Sequence, residues 1–351
     1  MRHLVTGATG LVGAALVLEL LARTDDEVVC LVRPGRSNAE DRLRQALTTA
    51  ARSYGAFGLE IDKRCTVVAA DLTEPRCGVA GVRGEEFWHC AADLRYEDRH
   101  WEALRRTNVE GTRNALDLAL SAGCTAFNYM STAYVAGRRD GVLTEVRHDS
   151  ETNNRYEDSK VAAEEVVAAA TGLVTRTLRP SIVIGHSRTY AVCGGLSGLY
   201  GIQRRLKQFK RALSALGSSS EPMRLRADAA ARVNLVPVDL VAADAVNISQ
   251  STSTARVFHL THPEPLSVGP GLGLMFELAG LPRPIYTDDV STFTQLDREF
   301  DRKIDFYSSY MTGTKVFDQT NLLAAVDKPV LMSWHFDLEK LARFYLTSGQ
   351  V

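Results

Sequence analysis

Regular alternation of short apolar runs with amphipathic runs is the strongest constraint on the fold of this chain. Runs rich in Val, Leu, Ala and Cys indicate buried strands, and roughly ten to fifteen residues with helical spacing separate most of them. Strands that alternate with helices are joined by right-handed crossovers, which place them in a parallel sheet covered on both faces. The sequence therefore predicts an α/β fold built on a doubly wound parallel sheet.

The pattern also predicts where the elements and lobes lie. Strands are expected at 3–7, 27–34, 65–72, 85–92 and 126–137, and helices at 11–23, 38–54 and 105–123. The expected dinucleotide-binding domain is 1–185, to which 232–262 returns, and the expected substrate lobe is smaller, mostly helical and formed by 186–231 and 263–351. Within that lobe, "VGPGLG" at 268–273 interrupts the place where a plain helix start is expected.

The stretch "VTGATGLVG" at 5–13 has two interpretations. A basic start, an apolar run and small residues are typical of a secretory signal. The same glycines after a strand are typical of a phosphate-binding turn, in which Gly7 permits the turn, Gly10 admits a pyrophosphate and Gly13 lets the helix pack closely. Because the strand and helix pattern continues without a break, we expect a Rossmann nucleotide site here.

Charge and cysteine usage exclude several classes of function. The 351 residues hold 41 basic and 42 acidic side chains, so no overall field favours nucleic acid or an anionic membrane. Six cysteines include no C-x-x-C pair, which predicts reduced thiols, no metal site and a cytoplasmic protein. Every long apolar run is interrupted, so no membrane insertion is expected.

Several motifs in order resemble the extended branch of the short-chain dehydrogenase/reductase superfamily. They comprise the glycine motif, "DL" at 71–72, "HCAA" at 89–92, "TNVEGT" at 107–112, "MSTAYV" at 130–135, "YEDSK" at 156–160 and "LRPSIVIG" at 178–185. The resemblance implies three catalytic residues, Thr132, Tyr156 and Lys160. Tyr156 and Lys160 lie four residues apart on a predicted helix, and a nearby ammonium is expected to lower the tyrosine pKa from about 10 toward the working range. Tyr156 is then the acid, and Thr132 holds the substrate oxygen.

The end of the second strand indicates the cofactor. Enzymes that use NAD commonly have Asp or Glu there, whereas this strand ends with Arg33, and Arg42 follows on the next helix. Guanidinium groups suit a 2′-phosphate, which predicts NADPH. The resemblance implies cofactor binding by Gly7, Thr9, Gly10, Leu11, Val12, Gly13, Arg33, Arg42, Asp71, Leu72, Ala91, Ala92, Asn108, Ser131, Tyr156, Lys160, Pro180, Ser181 and Ile182.

The second half distinguishes branches of that superfamily. Nucleotide-sugar epimerases usually have Asp after an arginine in the segment that starts here at Arg232, where this chain has Val233. "CLVRP", "STAYV" and "FHLTHPEPLS" are more similar to fatty acyl-CoA reductases and thioester reductase domains. The resemblance implies NADPH-dependent reduction of an acyl thioester to an aldehyde or alcohol. A ketone or aldehyde reductase and a non-catalytic cofactor-binding regulator are the alternatives.

One basic helix is a candidate docking surface. Its predicted buried stripe consists of Ile202, Leu206, Phe209, Leu213 and Leu216. Its other faces present five basic residues, Arg204, Arg205, Lys207, Lys210 and Arg211. One explanation of this pattern is a face exposed to solvent. The other is a docking site, either for an acyl-carrier protein through Arg204, Arg205 and Lys207 or for the phosphates of coenzyme A.

Overall fold

The computed structural model of the chain describes residues 1–35, 37–146, 151–195, 198–215 and 221–348. The strands are β1 Arg2–Thr6, β2 Glu27–Val32, β3 Cys65–Ala69, β4 Glu86–His89, β5 Ala126–Met130, β6 Gly141–Leu143, β7 Val174–Pro180, β8 Ile182–Ile184, β9 Arg224–Leu225, β10 Arg232–Val233, β11 Leu235–Pro237, β12 Val257–Leu260, β13 Leu266–Ser267, β14 Ile285–Tyr286 and β15 Lys315–Phe317. The helices are α1 Leu11–Arg23, α2 Ala39–Tyr54, α3 Ile61–Arg64, α4 Trp101–Leu104, α5 Gly111–Ala122, α6 Arg155–Ala168, α7 Leu199–Ala215, α8 Val238–Gln250, α9 Val268–Leu278, α10 Gln295–Ser308, α11 Thr320–Ala325, α12 Val330–Ser333 and α13 Leu338–Thr347.

Seven parallel strands form the main sheet, in the order β12-β7-β5-β4-β1-β2-β3. The predicted doubly wound α/β fold is therefore confirmed. Strand β1 lies inside the sheet, paired with β2 on one side and β4 on the other, so the apolar N-terminal stretch is part of the fold. The strand order reverses between β1 and β4, and a sheet of this kind opens a crevice for ligands at the carboxyl ends of those strands.

The sheet is buried by helices on both faces. Helix α1 packs beside α8 on one face, where Leu16, Val17 and Val241 are fully buried. On the other face, α5 and α6 cover the aromatic residues Phe87 and Phe127. Strands buried on both faces are almost entirely apolar, which explains why the sequence pattern revealed them.

A second apolar cluster lies in the predicted substrate lobe. Side chains of α7, α9, α10 and α13 meet there, among them Phe209, Phe276, Phe300 and Phe344. Two short helices that were expected to belong to this lobe pack elsewhere: Leu322 of α11 and Leu331 of α12 belong to the apolar cluster of the sheet domain. The division of the chain into these two domains stays a prediction, and 320–333 is its weakest part.

Local differences from the predicted elements have simple causes. The strand expected at 126–137 ends at Met130, because Thr132 caps a short 3-10 helix at Ala133–Ala136. The segment "VGPGLG" does not interrupt α9 but begins it, since a proline in the first turn loses no helical hydrogen bond. The buried stripe of α7 is confirmed at Leu206, Phe209 and Leu213, and Leu216 lies outside the described residues.

Three further structural features bear on the kind of site to expect. No helix within the described ranges is long and apolar enough to cross a membrane. Across the same residues, no three His, Cys, Asp or Glu side chains are grouped as metal ligands would be. All six cysteines are free thiols.

Candidate active site

The turn between β1 and α1 forms a cradle that only glycine allows. Gly7 has a φ of +75°, and a Cβ there would lie 2.6 Å from the Ala91 backbone nitrogen. A Cβ on Gly13 would lie 2.1 Å from the Gly7 carbonyl oxygen. Gly10 caps α1 without a side chain, so the first N–H groups of the helix stay open to a ligand. Free N–H groups and the positive end of the helix dipole suit a pyrophosphate.

One cavity of about 660 Å³ runs from this turn across the carboxyl ends of the central strands. Nearly every residue predicted from the sequence lines it. These residues are Gly7, Thr9, Gly10, Leu11, Val12, Gly13, Arg33, Arg42, Asp71, Leu72, Ala91, Ala92, Ser131, Thr132, Tyr156, Lys160, Pro180, Ser181 and Ile182. The cavity thus brings together side chains that are up to 175 positions apart in the sequence, from Gly7 to Ile182.

Asn108 is the exception, and its role as a cofactor ligand stays a prediction. It is buried within a π-helical turn at Arg105–Glu110 and does not line the cavity. Its amide exchanges two hydrogen bonds with the backbone of Asp93, at 2.7 and 2.9 Å, and donates to Ser159 Oγ at 2.8 Å. Asn108 therefore joins the loop after β4 to the helix α6, behind the cavity wall.

The hydroxyl groups of Thr132 and Ser131 differ in their hydrogen bonds. Ser131 Oγ donates to Glu164 Oε1 at 2.5 Å, and Glu164 is paired with the buried Arg179. Thr132 Oγ1 instead accepts from the backbone N–H of Tyr134 at 3.2 Å. The proton of Thr132 is therefore available to a ligand, whereas the proton of Ser131 is already used.

Tyr156 and Lys160 both project from α6 toward the cavity, as their spacing predicted. Lys160 Nζ donates to the Met130 carbonyl at 2.8 Å and to Tyr129 Oη at 3.2 Å. Burial lowers the pKa of Lys160 to about 8, although nearby Cys90 and Glu164 favour the charged form and partly oppose this shift. Burial also raises the pKa of Tyr156, so the expected lowering of that pKa by Lys160 is not seen in this structure.

Arg33, Arg42 and Asp71 all line the other end of the cavity. Arg42 Nη1 donates to the Arg33 carbonyl at 2.7 Å, which links the end of β2 to α2. Hydrogen bonds from Thr73 and the nearby charge of Arg33 hold the pKa of Asp71 below its ordinary value. Both guanidinium groups line the cavity, so an anionic group bound at this end would meet two cations.

An aromatic wall of the cavity was not foreseen from the sequence. It consists of Tyr96, Tyr134, Phe306, Tyr307 and Tyr310. Tyr310 Oη donates to the buried Glu157 at 2.9 Å, which ties the wall to the residue next to Tyr156. Only the aromatic run "FYSSY" at 306–310 could have indicated this wall, and no periodic pattern singles it out.

The basic face of α7 lies at the edge of the same cavity. Arg204 lines the cavity, and Lys207 Nζ lies 5.4 Å from the centre of the Tyr345 ring. Arg204, Arg205, Lys210 and Arg211 form no ion pair with any part of the chain that the structure describes. These charges are available to a partner.

Comparisons with curated proteins point to large biosynthetic enzymes. The chain is 32% identical over 283 residues to an isonitrile lipopeptide synthase of Streptomyces coeruleorubidus, covering 76% of this chain and 18% of that protein. It is 26% identical over 278 residues to a linear gramicidin synthase of Brevibacillus parabrevis, covering 74% of this chain and 5% of that protein. This chain therefore spans about a fifth or less of the length of these relatives.

Solved structures and a family match agree with that similarity. The terminal R domain from the myxalamid PKS-NRPS biosynthetic pathway is 25% identical, with a TM-score of 0.75 and coverage of 99% of this chain and 90% of that one. UDP-glucuronic acid 4-epimerase from Bacillus cereus shares the fold alone, at 15% identity and a TM-score of 0.66, covering 100% of this chain and 99% of that one. The model of an NAD-binding family described as male sterility protein matches residues 5–245. The chain belongs to this family of extended short-chain dehydrogenases/reductases.

Proposed function

We propose that this chain is an NADPH-dependent reductase that converts an acyl thioester, bound to coenzyme A or a carrier protein, into an aldehyde or onward into an alcohol. The observation that supports it most is the convergence of Thr132, Tyr156 and Lys160 on the cavity that begins at the glycine turn. The relatives are a lipopeptide synthase and a gramicidin synthase, and one similar structure is a terminal reductase domain, which favours a thioester over a free carbonyl. With six free thiols, a reducing cytoplasm is the proposed compartment.

The side chains suit the charge changes of this reaction. A bound nicotinamide supplies the hydride to the carbonyl carbon. Thr132 and Tyr156 hydrogen-bond the carbonyl oxygen as it becomes an alkoxide, and the Lys160 ammonium helps to stabilise that charge. When the carbonyl re-forms, the C–S bond breaks and the thiolate leaves and takes up a proton. One thioester, one hydride and one proton thus give one aldehyde and one thiol.

The residues present suit the proposed cofactor. The glycine turn supports this cofactor, because a Cβ at Gly7 or Gly13 would clash with neighbouring backbone and the first N–H groups of α1 are open to a pyrophosphate. Arg33 and Arg42 would hold the 2′-phosphate that distinguishes NADPH from NADH. No carboxylate stands at the end of β2, where it would repel that phosphate; Asp71 comes later in the chain, two residues after the end of β3.

A substrate panel tests this proposal. The protein is mixed with NADPH and either acyl-CoA thioesters or small ketones and aldehydes, and NADPH oxidation is followed by absorbance. We expect oxidation with the thioesters. Turnover of ketones alone would instead support the second candidate, a ketone or aldehyde reductase, which the same three side chains could serve.

The rate should depend on pH through Lys160. Burial lowers its pKa to about 8, so the ammonium is present below that pH and is lost as the pH rises through it. Because the proposed role requires the charge, kcat should fall above pH about 8. The Lys160→Arg variant keeps its charge over this range, so its kcat should not decline above pH about 8, even if that kcat is lower than the wild-type value. A wild-type profile that is flat between about pH 6.5 and 9.5 would contradict the role.

We further propose that Arg204, Arg205 and Lys207 dock an acidic acyl-carrier protein. Charges at the rim of a site speed encounter with a partner of opposite charge, and salt screens them over about 8 to 10 Å. Reversing all three to Glu should therefore lower kcat/KM for a carrier-bound acyl group several-fold and flatten its salt dependence. An uncharged N-acetylcysteamine thioester should react at the wild-type rate.

A matched control comes from three exposed basic residues on α10, Arg298, Arg302 and Lys303, none of which lines the cavity. Reversing them changes the net charge by the same amount and should leave carrier-bound turnover unchanged. Equal losses in both triple variants would show a general charge effect and remove the docking proposal. Acyl-CoA substrates separate the two kinds of partner. Reversing the three residues of α7 should slow acyl-CoA turnover only if α7 recognises the phosphates of coenzyme A.

A further inference from the structure

A chain of buried hydrogen bonds lies behind the cavity wall at Lys160. It includes three side chains that do not line the cavity and are at most 1% exposed, namely His89, Thr112 and Tyr129. His89 Nδ1 lies 2.8 Å from Thr6 Oγ1, and His89 Nε2 lies 3.1 Å from Thr112 Oγ1. Thr112 is also a hydrogen-bond partner of Tyr129, whose Oη lies 3.2 Å from Lys160 Nζ. The chain therefore connects the end of β1 to the ammonium in the site.

The direction of these hydrogen bonds follows from a single proton. Thr112 has one hydroxyl proton, which it donates to the Asn108 carbonyl at 2.6 Å. Its oxygen must therefore accept from both His89 and Tyr129. Burial lowers the pKa of His89 to about 3 and raises the pKa of Tyr129, so the imidazole is neutral and the phenol keeps its proton. Because Thr112 receives that proton, the Tyr129 oxygen is left to accept from Lys160.

Strand β5 supplies two acceptors to the Lys160 ammonium. Lys160 Nζ donates to Tyr129 Oη at 3.2 Å and to the Met130 carbonyl at 2.8 Å, and it lies 4.7 Å from the centre of the Tyr129 ring. Hydrogen bonds to a charged group stabilise its charged form, most of all where burial has removed water. Loss of the Tyr129 oxygen would leave a buried N–H without its acceptor and would favour the neutral amine.

Other titratable and charged groups around Lys160 come from β4, β7 and α6. They are His89, Cys90, Tyr156, Glu164 and Arg179. Burial raises the pKa of Cys90 to about 12, so its thiol is neutral. Glu164 favours the charged form of Lys160, but it is paired with Arg179 at 2.5 Å. The two acceptors at the end of β5 are therefore the contacts that hold the ammonium most directly.

From this geometry we propose that Tyr129 is a positioning residue, whose hydroxyl is oriented by Thr112 and holds the Lys160 ammonium charged and in place. This inference rests on the proposed thioester reduction, in which the charge of Lys160 helps to stabilise the alkoxide. Tyr129 does not line the cavity, so it acts on the reaction through Lys160.

The titration of Lys160 tests this role. In protein labelled with carbon-13 at the lysine ε-carbons, the Lys160 signal is the one missing from the NMR spectrum of Lys160→Arg. Tyr129→Phe removes only the acceptor oxygen, and it should lower the Lys160 pKa by about 0.5 to 1, as expected for one lost hydrogen bond. The ammonium is then lost at lower pH, so the decline of kcat with rising pH should move down by the same amount.

Tyr200 supplies a matched control. It is 2% exposed, does not line the cavity and accepts from the Gly185 N–H at 2.7 Å, so Tyr200→Phe also removes a buried, hydrogen-bonded hydroxyl. Its Lys160 pKa should equal that of the wild type. If Tyr129→Phe does not fold, Thr112→Val removes the oxygen that orients Tyr129 and should also lower the Lys160 pKa, whereas Thr112→Ser keeps that oxygen and should not.

The NMR titration needs no substrate, so it separates this inference from the proposed reaction. If Tyr129→Phe lowers the Lys160 pKa but no thioester is reduced, the contact stands and the proposed reaction fails. If thioesters are reduced while Tyr129→Phe keeps both the wild-type Lys160 pKa and the wild-type pH profile, Tyr129 is a packing residue and the inference is wrong. An equal decrease of the Lys160 pKa in Tyr200→Phe would also overturn it.

Discussion

Replacing Tyr156 with Phe should lower kcat by roughly 100-fold or more while leaving cofactor affinity nearly unchanged. The substitution removes one hydroxyl that would stabilise the developing alkoxide and deliver a proton, and it leaves the glycine cradle intact. Thr132→Ala should have a similar effect. Thr132 Oγ1 accepts from the Tyr134 N–H, which leaves the hydroxyl proton to be donated to the substrate oxygen. Stopped-flow NADPH oxidation and cofactor titration measure the two quantities separately.

A buried tyrosine outside the cavity supplies the control for this result. Tyr54 lies at the end of α2, is 4% exposed and does not line the cavity, so Tyr54→Phe removes the same atom without touching the site. Its turnover should stay near the wild-type rate. Near-normal turnover in Tyr156→Phe would eliminate Tyr156 as the acid, whatever the behaviour of the control.

Replacing Arg33 with Ala should weaken the binding of NADPH by about 1.5 to 3 kcal/mol, the amount expected for one lost charge-assisted contact. Affinity for NADH should change little, because NADH has no 2′-phosphate. Fluorescence titration of both cofactors gives the two dissociation constants directly. The preference for NADPH over NADH would then fall by roughly 10- to 150-fold.

Arg52 provides the comparison for Arg33, since it is an exposed arginine on α2 that does not line the cavity. Arg52→Ala should leave both affinities at wild-type values. An equal loss of NADPH and NADH affinity in Arg33→Ala would show that Arg33 supports the fold and does not recognise the phosphate. Tighter binding of NADH than of NADPH by wild-type protein would contradict the cofactor assignment itself.

The sequence was sufficient to predict the elements of the sheet domain because they are buried. Helix α1 was expected at 11–23 and spans Leu11–Arg23, since its apolar stripe begins directly after the glycine turn. The strand β2 was expected at 27–34 and spans Glu27–Val32, ending just before Arg33 and Pro34. Apolar patterning predicts such elements because the strands and the helices that cover them follow one another in regular alternation along the chain.

Contacts between distant segments could not be predicted in the same way. Thr132 ends the strand early by capping a turn, which is a local hydrogen bond that no apolar pattern shows. Asn108 matches its motif but hydrogen-bonds Asp93 and Ser159, so its role depends on a loop and a helix that pack around it. The aromatic wall is assembled from Tyr96, Tyr134 and the 306–310 segment, which only the folded chain brings together.

The pKa of Tyr156 illustrates a second limit. The four-residue spacing correctly predicted that Tyr156 and Lys160 project into one cavity. It could not predict that Lys160 Nζ hydrogen-bonds Met130 and Tyr129 or that burial raises the tyrosine pKa. Spacing reports which side chains share a helix face, whereas a pKa depends on everything that surrounds them.

The ratio of thiol released to NADPH oxidised shows whether the reaction breaks a thioester. The protein is incubated with NADPH and dodecanoyl-N-acetylcysteamine, and free thiol, aldehyde and alcohol are quantified together. We expect one thiol for each NADPH when the aldehyde accumulates and one thiol for every two NADPH when the alcohol does. Oxidation of NADPH without release of thiol would show that no thioester is broken.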